Sequence, residues 1–388
     1  MTNLPLLHHD EPLAWIVNCC IVGASLGCLY LVTTSVLALR FTRERNMRHQ
    51  TSSAVTILKP LHGSEPHLFG RLSSFCTQRY DGPIQVVFGT QDHADAAKEV
   101  VKRLETAFPE KAIVLKIGTQ EYGANRKVSN LANMMALAQH DILIVADSDI
   151  QVGPHYLAAV VGELQRPSVG AVTCLYHGVA GAGIWSDLSA LAINSHFLPQ
   201  VVTALTFGLA RPCFGATIAI RRQLLTSLGG FSMFADLLAD DYAIGEAVRE
   251  RGYEVVIPPL SVSHVCLETN FKSLFERQIR FARTIKSIDP VGYAGSIVTH
   301  PLALAVIGAL MGSSGCFGLA VLALGCRIAL CLSIERAFRL GWQRYWLLPI
   351  LDLLAFAVYL VSFTGATVSW RDHRYRVSQD GGLAQVKE

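Results

Sequence analysis

Ile142-Leu143-Ile144-Val145-Ala146-Asp147-Ser148-Asp149 is the stretch whose reading decides the fold. Its first five residues are apolar and rich in β-branched side chains, the composition of a strand buried on both faces of a parallel sheet. Ligands of open α/β sheets bind beyond the carboxyl ends of the strands, and two carboxylates stand at that end. In extended chain, residues i and i+2 point the same way, so Asp147 and Asp149 are placed to face one site. Their hard oxygens suit a divalent cation, and a cation held there would attract a diphosphate. Taken alone, the triplet reads equally well as a turn, for which Asp and Ser are common residues.

Working outward, the same alternation recurs. Ala54-Val55-Thr56-Ile57-Leu58 is a strand expected to end at Lys59-Pro60, Leu68 to Thr77 has helical spacing, and Ile84 to Gly89 is a second strand leading into Thr90-Gln91-Asp92. Asp95 to Phe108 reads as an amphipathic helix, Ala112 to Ile117 as a third strand and Lys127 to Gln139 as another helix. Strands alternating with helices of this length mean βαβ units and a mostly parallel central sheet. No Gly-x-Gly-x-x-Gly follows the first strand and no Walker loop occurs. A nucleotide bound here needs another source of charge for its phosphates, which a carboxylate-held metal would supply.

The rest of the chain is of a different kind. Of 388 residues, 51% are hydrophobic and only 16% charged, against about 25% charged in soluble domains. Residues 14–41 carry no charge before Arg40, enough to span a bilayer, which needs roughly 20 apolar residues. The run is too long for a cleaved signal peptide, and acidic Asp10 and Glu11 precede it where a basic cluster belongs, so it reads as a retained anchor. Arg40, Arg43, Arg45 and Arg48 follow at once, which by the positive-inside rule puts the middle of the chain in the cytoplasm and residues 1–13 outside. A second apolar block, residues 301–334, is interrupted by Gly312-Ser313-Ser314-Gly315 and fits either a tight hairpin of two short helices or one long tilted helix. Residues 346–369 form a final span, with Arg371, Arg374 and Arg376 beyond it. Basic residues flank that span on both sides, so charge does not orient it. Leu198 to Ala210 is apolar but short, and fits an interfacial or a core helix. The expected division is residues 1–13 outside, 14–41 anchor, 42–298 cytoplasmic α/β domain, 299–370 a membrane region of two or three helices, and 371–388 a tail.

The ten cysteines show no Cys-x-x-Cys spacing, which argues against a disulfide framework or a zinc site. A net charge of +3 gives no case for nucleic acid; the juxtamembrane arginines suit anionic lipid instead.

Further acidic positions follow the logic of the first triplet. Asp92 stands just past the second strand, where it fits a ligand site or a helix cap. Asp240-Asp241-Tyr242 opens a helix running to Arg251, where acidic residues favour the helix dipole. Two adjacent carboxylates also repel, and such pairs shift a pKa for acid–base work. A base near pH 7 can deprotonate a hydroxyl as it attacks a sugar carbon. Arg277 and Arg280 share one helical face beside Phe281, and arginine forks suit phosphate oxygens or lipid headgroups. Lys127 to Asn133 adds a cation and amides before the fourth strand.

Taken in order, Ile57-Leu58-Lys59-Pro60-Leu61, Gln91-Asp92, Lys127-Val128-Ser129-Asn130-Leu131, Asp147-Ser148-Asp149, Ala239-Asp240-Asp241-Tyr242 and Arg277-x-x-Arg280-Phe281 resemble the ceramide glucosyltransferase family, a branch of the inverting nucleotide-sugar transferases with the GT-A fold. Phe75-Cys76, Cys174-Leu175-Tyr176, Asn194-Ser195-His196-Phe197-Leu198-Pro199 and Ala210 to Thr217 look like the bacterial hopanoid-biosynthesis branch, which adds N-acetylglucosamine to bacteriohopanetetrol. The resemblance implies a GT-A nucleotide-sugar-binding domain with transmembrane helices at both ends, in a bacterial inner membrane, with a UDP-sugar donor, a membrane-lipid acceptor and a divalent metal, Mg or Mn. It implies that Asp92, Lys127, Asp147, Arg277 and Arg280 bind the nucleotide sugar and that Asp147 and Asp149 hold the metal. Asp241 matches the proposed base, with Asp240 where the family more often has Glu, and Arg280 would assist catalysis. Phe281 stands where the family has Trp, keeping the aromatic face but losing the indole donor. His196 and Phe281 would lie on the acceptor side.

Overall fold

The computed structural model describes residues 11–42, 51–365, 367–370, 373–377 and 382–385. Residues 1–10, Arg43, Arg45, Arg48 and Arg371, on which the topology argument partly rests, lie outside the described residues, as do the side chains of Arg374 and Arg376. The chain divides into two units. One is α/β and comprises Thr42–Ala190, Phe207–Glu276 and Ala366–Glu388; the other is helical and comprises Met1–Phe41, Leu191–Thr206 and Arg277–Gly365.

The α/β unit is built on β1 (Val55–Pro60), β2 (Ile84–Thr90), β3 (Ala112–Ile117), β4 (Ile142–Val145), β5 (Ile150–Gln151), β6 (Val169–Thr173), β7 (Leu175–Ala180), β8 (Ile218–Arg221), β9 (Glu254–Val256) and β10 (Ser261–Cys266). A seven-stranded sheet has the order β3-β2-β1-β4-β8-β6-β9. Pairing is parallel from β3 through β2 and β1 to β4, and again between β6 and β9. β8 runs antiparallel to both neighbours. β1 and β4 are buried along their whole length, as continuous apolar runs in a covered parallel sheet must be. β1 runs through Lys59-Pro60 rather than stopping there. β4 pairs with it only as far as Leu58↔Val145, so no β4 neighbour requires the N–H that Pro60 lacks.

Helix Arg126–Met134 shows how the sheet is covered. Asn125 caps it by accepting from Val128 N at 3.2 Å, and Val128, Leu131 and Met134 recur at helical spacing in the core with Leu58, Val87 and Leu143. Each such side chain contributes roughly 1.5–3 kcal/mol by leaving water. A second, three-stranded sheet, β5-β10-β7, stands at the carboxyl end of β4: β5 is antiparallel to β10, and β10 parallel to β7.

In the helical unit, Glu11–Phe41 packs on Pro301–Leu310 and Ser314–Phe338. Glycine permits the approach: a Cβ on Gly27 would come within 2.5 Å of Val298 O and 2.7 Å of Pro301 Cβ. The block 301–334 is two helices, divided at Gly312 with φ +92°. Helical stretches long and apolar enough to cross a membrane are Leu13–Phe41, Gly183–Thr206, Ser314–Phe338 and Tyr345–Ser362, with Pro290–Thr299 and Pro301–Leu310 as a further, bent pair. Gly183–Thr206 is longer than the Leu198–Ala210 segment suggested. Its start is obscured in sequence by Asn194, Ser195 and His196, which are buried.

Candidate active site

The carboxylates gather at one lysine. Lys127, in the first turn of Arg126–Met134, places Nζ 2.9 Å from Asp147 Oδ1 and 3.5 Å from Asp240 Oδ2. Asp240 Oδ1 also accepts from Asn125 Nδ2 at 3.2 Å, and the same amide donates to Leu237 O at 2.9 Å. Asp241 opens helix Asp240–Glu250. Its Oδ2 accepts from Gly215 N at 2.7 Å and its Oδ1 from Tyr242 N at 2.8 Å. Gly215 lies within the cluster: a Cβ there would stand 2.9 Å from Lys127 Nζ, 3.0 Å from Asp147 Oδ2 and 3.5 Å from Asp241 Oδ2. The sequence therefore brings Lys127, Asp147, Asp240 and Asp241 together, through chain segments far apart in order.

Electrostatics follow from that crowding. Burial would push the Lys127 ammonium down, but Asp147, Asp240 and Asp241 outweigh it and hold the group firmly charged, above its usual range. Asp240 is raised by burial, against the pull of Lys127. Asp241 is pushed up to about 6, by burial first and the Asp240 charge second, with Lys127 and the Gly215 N–H opposing. A carboxylate so tuned is mostly ionised at neutral pH and is a stronger base than an ordinary aspartate.

The backbone of the Asp147-Ser148-Asp149 loop is gripped from beneath. Lys59, fully buried at the end of β1, donates to Asp147 O and reaches Ile150 O at 3.5 Å. Arg71 Nε donates to Ser148 O at 3.2 Å, and its guanidinium pairs with Glu65. Burial pulls Lys59 down to about 7, with Asp149 and Asp147 resisting. Phe75 covers its ammonium, 4.0 Å from the ring centre.

Asp149 points to a second cluster. β5 and β10 pair as His264↔Ile150, which sets His264 Nδ1 3.5 Å from Asp149 Oδ1. Tyr176 packs on His264 (ring centres 5.6 Å apart) and edge-on to Phe214 (5.8 Å). Asp149 Oδ1 is buried and has no hydrogen-bond partner. Among the described residues no group of three or more His, Cys, Asp or Glu side chains forms a ready cation site. An orphaned carboxylate oxygen beside an imidazole, with Asp147 on the same loop, is nevertheless the kind of hard-oxygen donor that a divalent ion takes.

Other expected residues stand differently. Asp92 is exposed past β2 and accepts from Ala94 N at 2.8 Å, a turn role; among the described residues it joins no ion pair. In 127–133 only Lys127 serves the cluster: Asn130 donates to Gly89 O at 2.8 Å and Asn133 to Gln120 O at 2.8 Å, both supporting backbone. Arg277, Arg280 and Phe281 lie in the helical unit on Phe271–Ile288, with the two guanidinium carbons 5.5 and 5.7 Å from the Phe281 ring centre. His196 also lies in the helical unit, in the π-helical turn Ile193–Phe197. Sequence reasoning gave no role to Asn125, Gly215, His264, Lys59 or Arg71. The glycine's signal is its setting in Pro212-Cys213-Phe214-Gly215, and the lysine's is a charge inside an apolar strand.

Comparison with known proteins gives the family and the fold. A family model described as Glycosyl transferase family 21 matches residues 19–383. Ceramide glucosyltransferase 3 of Caenorhabditis elegans is 24% identical over 251 residues, covering 63% of this chain and 52% of that protein. The ceramide glucosyltransferase of Gibberella zeae is 29% identical over 189 residues, covering 44% of this chain and 36% of its own. The chain thus spans about half the length, or less, of these curated relatives. A mannosyltransferase from Pyrobaculum calidifontis, solved in complex with GDP-Man and Mn2+, superposes with a TM-score of 0.54 at 20% identity, covering 90% of this chain and 99% of that one. That likeness identifies the fold as GT-A-like.

Proposed function

The chain belongs to glycosyl transferase family 21, and from that premise we propose that it moves a sugar, glucose or N-acetylglucosamine, from a UDP-sugar to the hydroxyl of a membrane lipid with inversion. The observation that carries this reading is the cluster of Asp147, Asp240 and Asp241 around Lys127 at the carboxyl end of the sheet. Asp241 takes the proton from the lipid hydroxyl as its oxygen bonds to C1 of the sugar. The bond from C1 to the diphosphate oxygen breaks on the opposite face, and UDP leaves with that electron pair. Asp240 and Lys127 set the basicity of Asp241, and the Gly215 N–H fixes its orientation. Asp149, with Asp147 and His264 beside it, would hold the divalent cation, Mg or Mn. When bound, that ion supplies Lewis-acid charge at the diphosphate. Asp92 retains its assignment to the nucleotide, and Arg277 and Arg280 theirs to the departing diphosphate, by motif. The apolar helices hold the enzyme in a membrane with its catalytic unit on the cytoplasmic side, which we assign to a bacterial inner membrane.

Two acceptors are supported by different observations. The motifs at Phe75-Cys76, Cys174 to Tyr176 and Ala210 to Thr217 favour the polyol of a hopanoid such as bacteriohopanetetrol. The named relatives favour ceramide. The deciding experiment is purified full-length chain with UDP-glucose, UDP-N-acetylglucosamine or GDP-mannose, each against bacteriohopanetetrol and ceramide, with lipid products analysed by mass spectrometry and anomeric configuration by NMR. We expect an inverted, β-linked product from one UDP-sugar and one lipid. Transfer from GDP-mannose alone, or no glycolipid from any pair, would overturn the reading.

A further inference from the structure

The last strands of the chain return to the segment that carries the paired carboxylates. β11 (Thr367–Trp370), β12 (His373–Val377) and β13 (Leu383–Gln385) form a small antiparallel sheet in the order β11-β12-β13. Gly382, just ahead of β13, bridges antiparallel to Leu237. Leu237 stands three residues before Asp240, in a segment that needs outside support. Helix Asp240–Glu250 starts after Ala239, which supplies no side-chain cap, and alanine is a poor residue for that position. The residues ahead of helix Arg126–Met134 give one set of ties. Asn125 N donates to Ala235 O at 2.6 Å, Ala124 N to Asp236 Oδ1 at 2.8 Å and Asn125 Nδ2 to Leu237 O at 2.9 Å. The bridge to Gly382 gives a second, from the far end of the chain.

The sheet is also fixed where it begins. Thr367 follows closely on the end of the last apolar helix, Leu348–Ser362. Two cations of helix Phe271–Ile288 hold that end: Arg283 Nη2 donates to Thr364 O at 2.7 Å and Lys286 Nζ to Ser362 O at 2.5 Å. Lys286 Nζ lies 5.4 Å from the Phe363 ring centre as well. Carbonyls at a helix C-terminus favour cations in this way. Arg277 and Arg280 belong to the same helix. In the middle strand Tyr375 is only 4% exposed, so the sheet is packed rather than trailing in solvent. One set of ties lies in the helical unit and the other in the α/β unit, and the chain runs from one to the other. The C-terminal strands are thus a strap, tied at its start to the helix of the motif arginines and at its end to the segment before Asp240-Asp241.

We propose that the C-terminal sheet positions the catalytic carboxylates: through the bridge from Gly382 to Leu237 it holds residues 235–239 so that Asp240 and Asp241 stand where they act. This rests on the reading of Asp241 as the base. Gly382 and Tyr375 touch no reacting atom, and they act through the segment they hold. Small displacements of a reacting group cost much rate, about a hundredfold for 1 Å. The test uses the full-length chain in nanodiscs, as wild type, Gly382→Pro, Tyr375→Ala and Tyr375→Phe. Proline removes the N–H at the bridge, alanine empties the packed position in the middle strand, and phenylalanine keeps its ring. Without donor or lipid, amide hydrogen exchange over residues 234–242, followed by mass spectrometry, should be at least about tenfold faster in Gly382→Pro and Tyr375→Ala, with β1 and β4 unchanged. In turnover those two variants should lose at least about tenfold in kcat, with the KM values for UDP-sugar and lipid within about twofold of wild type. Tyr375→Phe should match the wild type in both measurements. If Gly382→Pro fails to fold by circular dichroism, Tyr375→Ala carries the comparison. Unchanged exchange over 234–242 in a folded variant overturns the proposal, and so does faster exchange with kcat unchanged or with the loss confined to KM. Faster exchange in the variants, with no glycolipid from the wild type, would instead sink the transfer reading and leave the sheet's hold on the segment standing.

Discussion

As the base proposed above, Asp241 should respond to pH as its surroundings dictate. The group works ionised, and burial with the Asp240 charge has pushed it up to about 6. The rate kcat/KM should therefore be flat at neutral pH and fall about tenfold per unit below pH 6. Asp241→Asn should lower kcat by roughly 10²–10⁴ with the UDP-sugar KM little changed; near-normal turnover to the same lipid product would remove the base assignment. The neighbours shift the acid limb in opposite directions. Asp240→Asn deletes a like charge and should move it to lower pH, while Lys127→Met deletes the balancing cation and should move it higher, both read from full pH profiles. Gly215→Ala makes a different point, because its new Cβ would stand 2.9 Å from Lys127 Nζ and 3.0 Å from Asp147 Oδ2. It should cost at least about tenfold in kcat while shifting stability by roughly 1–3 kcal/mol, measured by turnover and denaturant melts. The adjacent carboxylates were legible in sequence because two like charges side by side demand a reason. Gly215 carried only the signal of its Pro212-Cys213-Phe214 setting, since close approach leaves no side chain to read.

The loop after β4 works as an element because cationic side chains fix its backbone while its carboxylates meet Lys127 and His264. Lys59 and Arg71 between them hold the carbonyls of Asp147, Ser148 and Ile150. Lys59→Met keeps the bulk of the stem but strands the Asp147 and Ile150 carbonyls, each costing about 1–3 kcal/mol when unpaired. The expected result is a folded protein with Mn2+ affinity and kcat both reduced at least about tenfold, by metal titration and turnover; unchanged metal affinity would show that the loop holds its own shape. The strand and its terminal carboxylates could be read from composition alone. The partner of Asp149 could not: His264 arrives only because β10 pairs back onto β5, and such long-range register has no local signature. Helix Arg126–Met134 shows the converse limit, because the pattern marked its amides as polar but not that Asn130 and Asn133 are occupied by Gly89 and Gln120 carbonyls.

For the whole molecule, hydropathy separated an α/β unit from apolar helices. It failed where polar residues are sealed inside those helices, since Asn194, Ser195 and His196 shorten the apparent run of Gly183–Thr206. The same sealing makes Arg327 and Asp352, an ion pair at 3.1 Å with both side chains 1% exposed, a sharp probe of how the helical unit is held. Removing one partner leaves an uncompensated charge in apolar surroundings, at about 3–5 kcal/mol, whereas removing both should cost less than the sum of the single losses. The two singles should differ, because Arg327 also answers two helix breaks, donating to Ser195 O in the π-helical turn and to Thr299 O beside the 63° bend. After Asp352→Leu, Arg327 still has the Ser195 and Thr299 carbonyls to answer its charge. After Arg327→Met, those two carbonyls lose their donor at the same moment as Asp352 loses its cation. Arg327→Met should therefore be the more destabilising single change, and Arg327→Met/Asp352→Leu should recover only the ionic part of the loss. Unfolding in detergent, followed by circular dichroism across the four-member cycle, reads both comparisons; additive losses of equal size would show that the ion pair and the helix breaks are independent.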